Sequence, residues 1–305
     1  DIGTATTAQA NDLADETSGI VTATIAEGDL ATLAGLTGTG NAYSITIDDA
    51  AVDAAALNTL DGKTTVAIDA AAVTTLTGLA TDLIEAVTSN GITGLGDEAI
   101  TVDSGTATTA QANALADETS GIVTAAIAEG DLTTLAALNG TGNAYSITID
   151  DASVDAAALN TLDAKTTVAI DAAAVTTLAG AAIDLDNAFS SAGITGLGNE
   201  AVTLSDTSLN AAVLNTLDDK TTGIIDAGSI TTLTGEASEL NTAFDSSGIS
   251  NLDDVNVTVD IGTATTAQAN DLADETSGIV TATIAEGDLA TLAGLTGTGN
   301  AYSIT

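Results

Sequence analysis

Aspartate recurs in this sequence directly after short apolar segments. In Thr65–Asp69, Val66 and Ile68 alternate with other residues before the carboxylate, as in a half-buried strand. We define the anchor as the second apolar residue of each such segment. Carboxylates at equal positions of neighbouring strands would lie about 4.8 Å apart, and Ca²⁺ prefers oxygen ligands of this kind. The pattern predicts a candidate Ca²⁺ site at Asp48, Asp69, Asp103, Asp150 and Asp171.

A second interpretation of these aspartates needs no metal. A carboxylate at the end of a strand can accept backbone N–H groups of the following turn or helix. After other anchors the aspartate is replaced by Ala26, Ala128 and Ala285. These breaks would relieve repulsion between stacked carboxylates, and so would a bound cation. The residues alone leave both interpretations open.

The loop acids Asp97 and Glu98 form the other candidate metal site. They follow Gly94-Leu95-Gly96, and glycines combined with acids on a loop can chelate Ca²⁺. The EF-hand pattern and the Gly-Gly-x-Gly-x-Asp repeat are both absent from the sequence. A solvated acidic loop is therefore the alternative, and Ca²⁺ is the one cofactor that the sequence suggests.

The composition argues against several function classes. The chain has no His and no Cys, and every pair of carboxylates is repeated, whereas a hydrolase needs one pair set apart by its environment. We therefore expect no enzyme activity. A net charge of −40 excludes ordinary nucleic-acid binding and disfavours anionic membranes. No apolar run approaches the roughly 20 residues that span a bilayer, so we expect no membrane insertion.

Internal repeats organise the whole chain. Residues 1–102 are followed by a near copy at 103–204, then by a shorter 55-residue piece at 205–259. Residues 260–305 are identical to residues 1–46. We expect one continuous repeat segment over 1–305, cut from a longer array. Anchors recur at intervals of 21 to 34 residues, at Ile25, Ile47, Ile68, Val102, Ile127, Ile149, Ile170, Leu204, Ile225, Val259 and Ile284.

The segments after the anchors have helical spacing. Helices are predicted from Asp29 to Leu36, through Val52, Ala56 and Leu60, and through Leu76, Leu79, Leu83 and Val87. Short strands that alternate with helices imply parallel pairing. The predicted fold is an α/β solenoid, a stack of strand-plus-helix coils like that of leucine-rich repeats, with an all-β solenoid as the alternative. The anchors and the residues five positions after them are the predicted core.

Several motifs resemble the repeats of very large surface proteins of aquatic bacteria, cyanobacteria especially. They include Leu57-Asn58-Thr59-Leu60-Asp61-Gly62-Lys63-Thr64-Thr65 and Gly193-Ile194-Thr195-Gly196-Leu197-Gly198. The resemblance implies an acidic, extracellular repeat array at a cell surface, whose partners are other copies of the array or neighbouring repeats. We expect a structural protein of a stalk, fibre or cell coat. The alternative is a Ca²⁺-dependent adhesin or surface-binding module.

Overall fold

The computed structural model describes residues 3–304. Asp1, Ile2 and Thr305 lie outside the described residues, and so do the outer limits of the predicted repeat segment. The chain divides into two compact units. Unit 1 comprises residues up to 148 together with 164–169, and unit 2 comprises residues 149–163 and those from 170 onward.

Unit 1 alternates short strands with helices. Its strands are β1 (Thr4–Ala5), β2 (Thr22–Ile25), β3 (Ala42–Ser44), β4 (Ala51–Asp53), β5 (Ile68–Asp69), β6 (Thr75–Gly78), β7 (Ile92–Thr93), β8 (Ala99–Val102), β9 (Val123–Ala126) and β10 (Ala144–Ser146). Its helices are α1 (Thr7–Glu16), α2 (Leu30–Leu33), α3 (Ala54–Asp61), α4 (Ala80–Thr88), α5 (Thr109–Glu118) and α6 (Leu132–Leu135).

Unit 2 repeats this alternation. Its strands are β11 (Ser153–Asp155), β12 (Ile170–Asp171), β13 (Thr177–Gly180), β14 (Ile194–Thr195), β15 (Ala201–Leu204), β16 (Ser208–Asn210), β17 (Ile225–Asp226), β18 (Thr232–Gly235), β19 (Ile249–Ser250), β20 (Asn256–Val259), β21 (Val280–Ile284) and β22 (Ala301–Ile304). Its helices are α7 (Ala156–Asp163), α8 (Ala182–Ser190), α9 (Ala211–Asp218), α10 (Ala237–Asp245), α11 (Thr266–Glu275) and α12 (Leu289–Leu292).

Within residues 3–304, every strand pairing is parallel. Unit 1 contains sheets in the orders β1-β2-β3, β10-β9-β8-β6-β4 and β5-β7. Unit 2 contains the orders β11-β13-β15-β17-β19, β12-β14 and β16-β18-β20-β21-β22. Paired residues are separated by 20 to 24 positions, as in Thr4 with Thr24 and Val52 with Leu76. The chain is thus an α/β repeat structure in which each helix connects parallel strands, as the sequence predicts.

Side-chain caps mark the start of several helices, although α4, α8 and α10 have none. At α1, Thr6 accepts a hydrogen bond from the Gln9 backbone N–H at 3.3 Å, and Gln9 Oε1 accepts one from the Thr6 N–H at 3.0 Å. This reciprocal capping box satisfies two backbone donors and recurs at α5 and α11. The shorter helix α2 is capped by Asp29, which accepts the Thr32 N–H at 2.9 Å. These local bonds define the helix starts, whereas burial holds the helices in place.

The predicted anchors all belong to the core. Every anchor from Ile25 to Ile284 is buried, and most residues five positions later are buried as well, so this prediction is confirmed. There are two exceptions, Leu209 and Leu289. Leu209 is only partly buried, and Leu289 is 82% exposed.

Two of the predicted helices begin too early. Leu76 lies in strand β6, and α4 begins only at Ala80. Val52 lies in strand β4, and the buried face of α3 consists of Ala54, Leu57 and Leu60. β6 ends at Gly78, whose φ of 143° lies in a region that L side chains rarely adopt.

The spacing of the anchors also overestimates the length of one structural repeat. Strands of two to four residues, such as β6 and β7, lie between the anchors Ile68 and Val102. The register therefore advances by 20 to 24 residues and not by the predicted 21 to 34. Strands this short carry too few apolar residues to show an alternation in the sequence.

No helix among the described residues combines the length and apolar character needed to cross a membrane.

Candidate functional site

The candidate aspartates that follow the anchors are exposed, and Asp69 and Asp171 are the last residues of strands β5 and β12. Asp69 Oδ1 accepts the Ala71 backbone N–H at 3.1 Å, and Asp171 Oδ1 accepts the Ala173 N–H at the same distance. Both contacts are of the kind that the capping interpretation predicts. The other aspartates of this set are exposed too, namely Asp48, Asp103 and Asp150.

The strand register separates these carboxylates. Asp69 lies opposite Thr93 in β7 and forms an isolated parallel bridge with Thr46. In unit 2, Asp171 lies opposite Thr195. Threonines and not carboxylates are therefore the register partners of Asp69 on both sides and of Asp171 in β14. Among residues 3–304, no group of three or more acidic side chains has the arrangement needed to hold a metal ion. Ca²⁺ binding by this set stays a prediction.

The two loop acids have different environments. Asp97 is exposed, whereas Glu98 is fully buried. Both carboxylate oxygens of Glu98 accept the Gly96 N–H, at 2.9 and 2.8 Å, and its backbone carbonyl accepts the Thr119 hydroxyl at 2.7 Å. The Glu98 side chain thus stabilises its own loop, since both of its oxygens accept the Gly96 N–H.

The near copy at Glu200 repeats this arrangement with one difference. Glu200 is also fully buried, and its Oε2 accepts the N–H groups of Gly198 and Asn199. Its Oε1 has no hydrogen-bond partner. In the shorter third piece, the buried Val255 stands at this position. An apolar residue can therefore occupy the site, which indicates a structural role in the loop.

Sequence reasoning missed a repeated bridge between successive helices. The Ser89 hydroxyl donates to Asp61 Oδ2 at 2.8 Å and accepts the Gly91 N–H at 3.0 Å. A Cβ atom at Gly91 would lie 2.0 Å from Asp61 Oδ1, so a larger residue there must displace the Asp61 carboxylate. The same bridge recurs at Asp163, Ser191 and Gly193, and at Asp218, Ser246 and Gly248. Its sequence signal is weak, because the Asp and the Ser are 28 positions apart.

The three lysines stand at the same position of the repeat. Among the described residues, the recorded ion pair is that of Lys220. Its ammonium lies 2.5 Å from Asp186 Oδ1 and also contacts the Ser190 hydroxyl. Both partners belong to α8. Because Ile84 occupies the position of Asp186 in the first copy, this pair depends on a substitution between the copies.

Two of the concave sites in unit 2 lie between helices. The α8–α9 groove has a volume of about 340 Å³ and is lined by Ala182, Ile183, Asp186, Asp206, Leu209, Val213 and Thr216. A second cavity, of about 240 Å³, lies between α10 and α11 and is lined mainly by acids around Phe244. The first site is largely apolar and the second is strongly acidic.

Hydrogen bonds and burial shift the pKa of a few groups. Hydrogen bonds from Thr32, first from its side chain and then from its backbone, lower the pKa of Asp29 from its ordinary value. The backbone and side chain of Thr134 lower the pKa of Asp131 in the same way. Burial, and secondarily the charge of Asp117, raise the pKa of Tyr145 to about 12. Asp29 and Asp131 are helix caps, so their shifts follow from helix structure.

No protein-family model, curated protein or solved structure matches this chain.

Proposed function

We propose that this chain is a structural repeat protein, part of an extracellular stalk, fibre or cell coat, whose repeats stack as an α/β solenoid. The observation that carries the proposal is the use of polar side chains to connect one repeat with the next. Asn58 Nδ2 donates to the Asp82 carbonyl at 2.9 Å, and Asn160 Nδ2 donates to the Asp184 carbonyl at 2.9 Å. Each of these bonds joins residues 24 positions apart.

Threonine hydroxyls form a second set of such connections. Thr74 Oγ1 donates to the Ala50 carbonyl at 2.9 Å, and the near copy Thr176 donates to Ala152 at 2.9 Å. The third piece has the same bond from Thr231 to the Thr207 carbonyl. Bonds that recur in every copy stabilise nearest neighbours, which is how repeat proteins derive their stability. They support a role in which length and stiffness are the function.

The charge of the chain fits a surface role. The chain carries 43 acidic residues against 3 basic ones. A net charge this far from zero keeps like chains apart in solution and hydrates the surface. The resemblance to giant bacterial surface proteins, carried by motifs such as Leu57–Thr65, agrees with a location outside the cell. We propose as partners the neighbouring repeats of the array, and other copies of it where salt screens their charge.

Immunogold electron microscopy of cells that produce this protein tests the proposal. Antibodies raised against the purified chain should label the outer surface, along an extended or layered structure. Antibodies absorbed with the purified chain are the control. Label confined to the cell interior would contradict an extracellular structural role.

A further inference from the structure

The α8–α9 groove exposes aliphatic side chains at a place where the other copies do not have them. Ile183 is 65% exposed and Val213 is 39% exposed. At the matching positions the first copy has Thr81 and Ala56. The second copy has Ala158 in place of Val213. These substitutions place two aliphatic side chains on the same groove.

The short third piece accounts for the location of the groove. It has no counterpart of α5 and α6, so α9 is the next helix after α8 in the chain, whereas α5 follows α4 in the first copy. Leu209 lines the groove and is partly buried, while its counterpart Val154 is only 4% exposed. The junction therefore leaves open an apolar surface that the regular repeat covers.

Two carboxylates accompany the apolar lining. Asp206 Oδ2 accepts the Ala182 backbone N–H at 2.7 Å, and Asp186 binds the Lys220 ammonium. Lys220 thus already pairs with one of these carboxylates, although no lysine is among the lining residues. The chain as a whole is strongly anionic at −40.

We propose that the α8–α9 groove binds a basic segment of a partner protein, with aliphatic side chains against Ile183, Leu209 and Val213. Charge complementarity selects this occupant. A second copy of the chain would bring a further −40 toward the same surface, which opposes docking. A basic segment gains from the field of the chain, and long lysine or arginine stems can cover apolar surface while their charged ends stay near carboxylates and water. The groove is independent of the proposed structural role, since it would serve a stalk or an adhesin equally.

Fluorescence anisotropy tests this site on the full chain. The probe is a short labelled peptide of alternating Leu and Lys, titrated at about 0.15 M NaCl so that distant charges are screened. The test variant is Ile183→Thr combined with Val213→Ala, which restores the residues of the first copy. The matched control is Ile122→Thr, because Ile122 is 55% exposed and lies outside the groove.

The expected result is one saturable site. Its Kd should rise about tenfold in the double variant, because two aliphatic contacts are lost. In the Ile122→Thr variant the Kd should be unchanged. A peptide of alternating Ser and Lys should bind more weakly than the Leu and Lys peptide. Equal Kd values for the wild type and the double variant, or equal binding of the two peptides, would overturn the proposal. Self-association of the chain that the double variant abolishes would also overturn it, because the occupant would then be a second copy.

Discussion

At the scale of single residues, close approach of the backbone to a carboxylate determines which glycines are required. Gly91, Gly193 and Gly248 each lie against an aspartate, and a Cβ atom added at any of them would lie 2.0 Å from a carboxylate oxygen. Gly62 differs, because its φ of −64° is helical and the nearest atom to an added Cβ is 3.5 Å away. Glycine is thus a steric requirement at the first three positions and not at Gly62.

We expect Gly91→Ala to destabilise the chain by about 1–3 kcal/mol, because the new methyl group must displace Asp61 and weaken the bridge to Ser89. Gly62→Ala is the matched control and should be neutral or slightly stabilising, since Ala164 occupies the same position in the second copy. Chemical denaturation of both variants measures the difference. Equal midpoints would show that the bridge yields without cost.

The helix caps predict a pH dependence. Hydrogen bonds from the backbone and side chain of Thr134 lower the pKa of Asp131 below its ordinary value of 3.8. A carboxylate with a lowered folded-state pKa stabilises the fold above pH 3.8, and this stabilisation is lost as the pH falls through the folded-state pKa. Asp131→Ala should therefore lower the Tm near neutral pH and make little difference in strong acid.

Thermal melting across this pH range tests the Asp131 prediction. Asp12→Ala is the control for removing an exposed negative charge, because the second copy has Ala114 at the same position. A Tm difference between the wild type and Asp131→Ala that stays constant from neutral pH to strong acid would contradict the cap assignment.

At the scale of the elements, a helix or strand here is stable chiefly through its neighbours. Several strands contain only two residues, such as β5 and β7, and α2 contains four. Isolated elements of this length are marginal in water. Their order must come from the parallel partners on either side and from the buried anchors.

Replacing Ile68 by Ala should cost about 2–5 kcal/mol, because its side chain is fully buried. Val66→Ala is the matched control, since Val66 is 39% exposed and lies two positions away in the same segment. Hydrogen exchange should show faster exchange in the variant at residues 45–47 and 91–93, which bond to the Ile68 segment. Loss of protection confined to residues 66–70 would contradict coupling between neighbouring repeats.

At the scale of the whole molecule, charge is the dominant feature. The described residues contain one recorded ion pair, Lys220 with Asp186, in a chain of net charge −40. Self-repulsion of this size weakens a compact state. Ions that bind the folded chain more tightly than the unfolded chain will stabilise it by mass action.

We expect millimolar Ca²⁺ to raise the Tm more than Na⁺ does at matched ionic strength. The candidate ligands are the exposed acids among those predicted, namely Asp48, Asp69, Asp97, Asp103, Asp150 and Asp171. Thermal melting in the two salts is the measurement, and Asp97→Asn with Asp69→Asn is the variant that should reduce the difference. Equal melting curves would show that only screening acts and would leave these aspartates as turn caps.

The sequence by itself determined the repeat organisation, the α/β alternation and the anchors of the core. Ile47, Ile68 and Ile170 could be identified because apolar alternation is a local pattern and burial of apolar area dominates folding. The capping role of Asp69 was one of two interpretations that the residue type allowed.

Only the tertiary structure decided which residues meet. The register places Thr93 and not a carboxylate beside Asp69. It also buries Glu98, which sequence reasoning treated as a loop ligand, and it opens the α8–α9 groove beside Leu209. The physical reason is distance along the chain. The decisive hydrogen bonds join residues 20 or more positions apart, and their partners follow from the packing of neighbouring repeats, which no local pattern records.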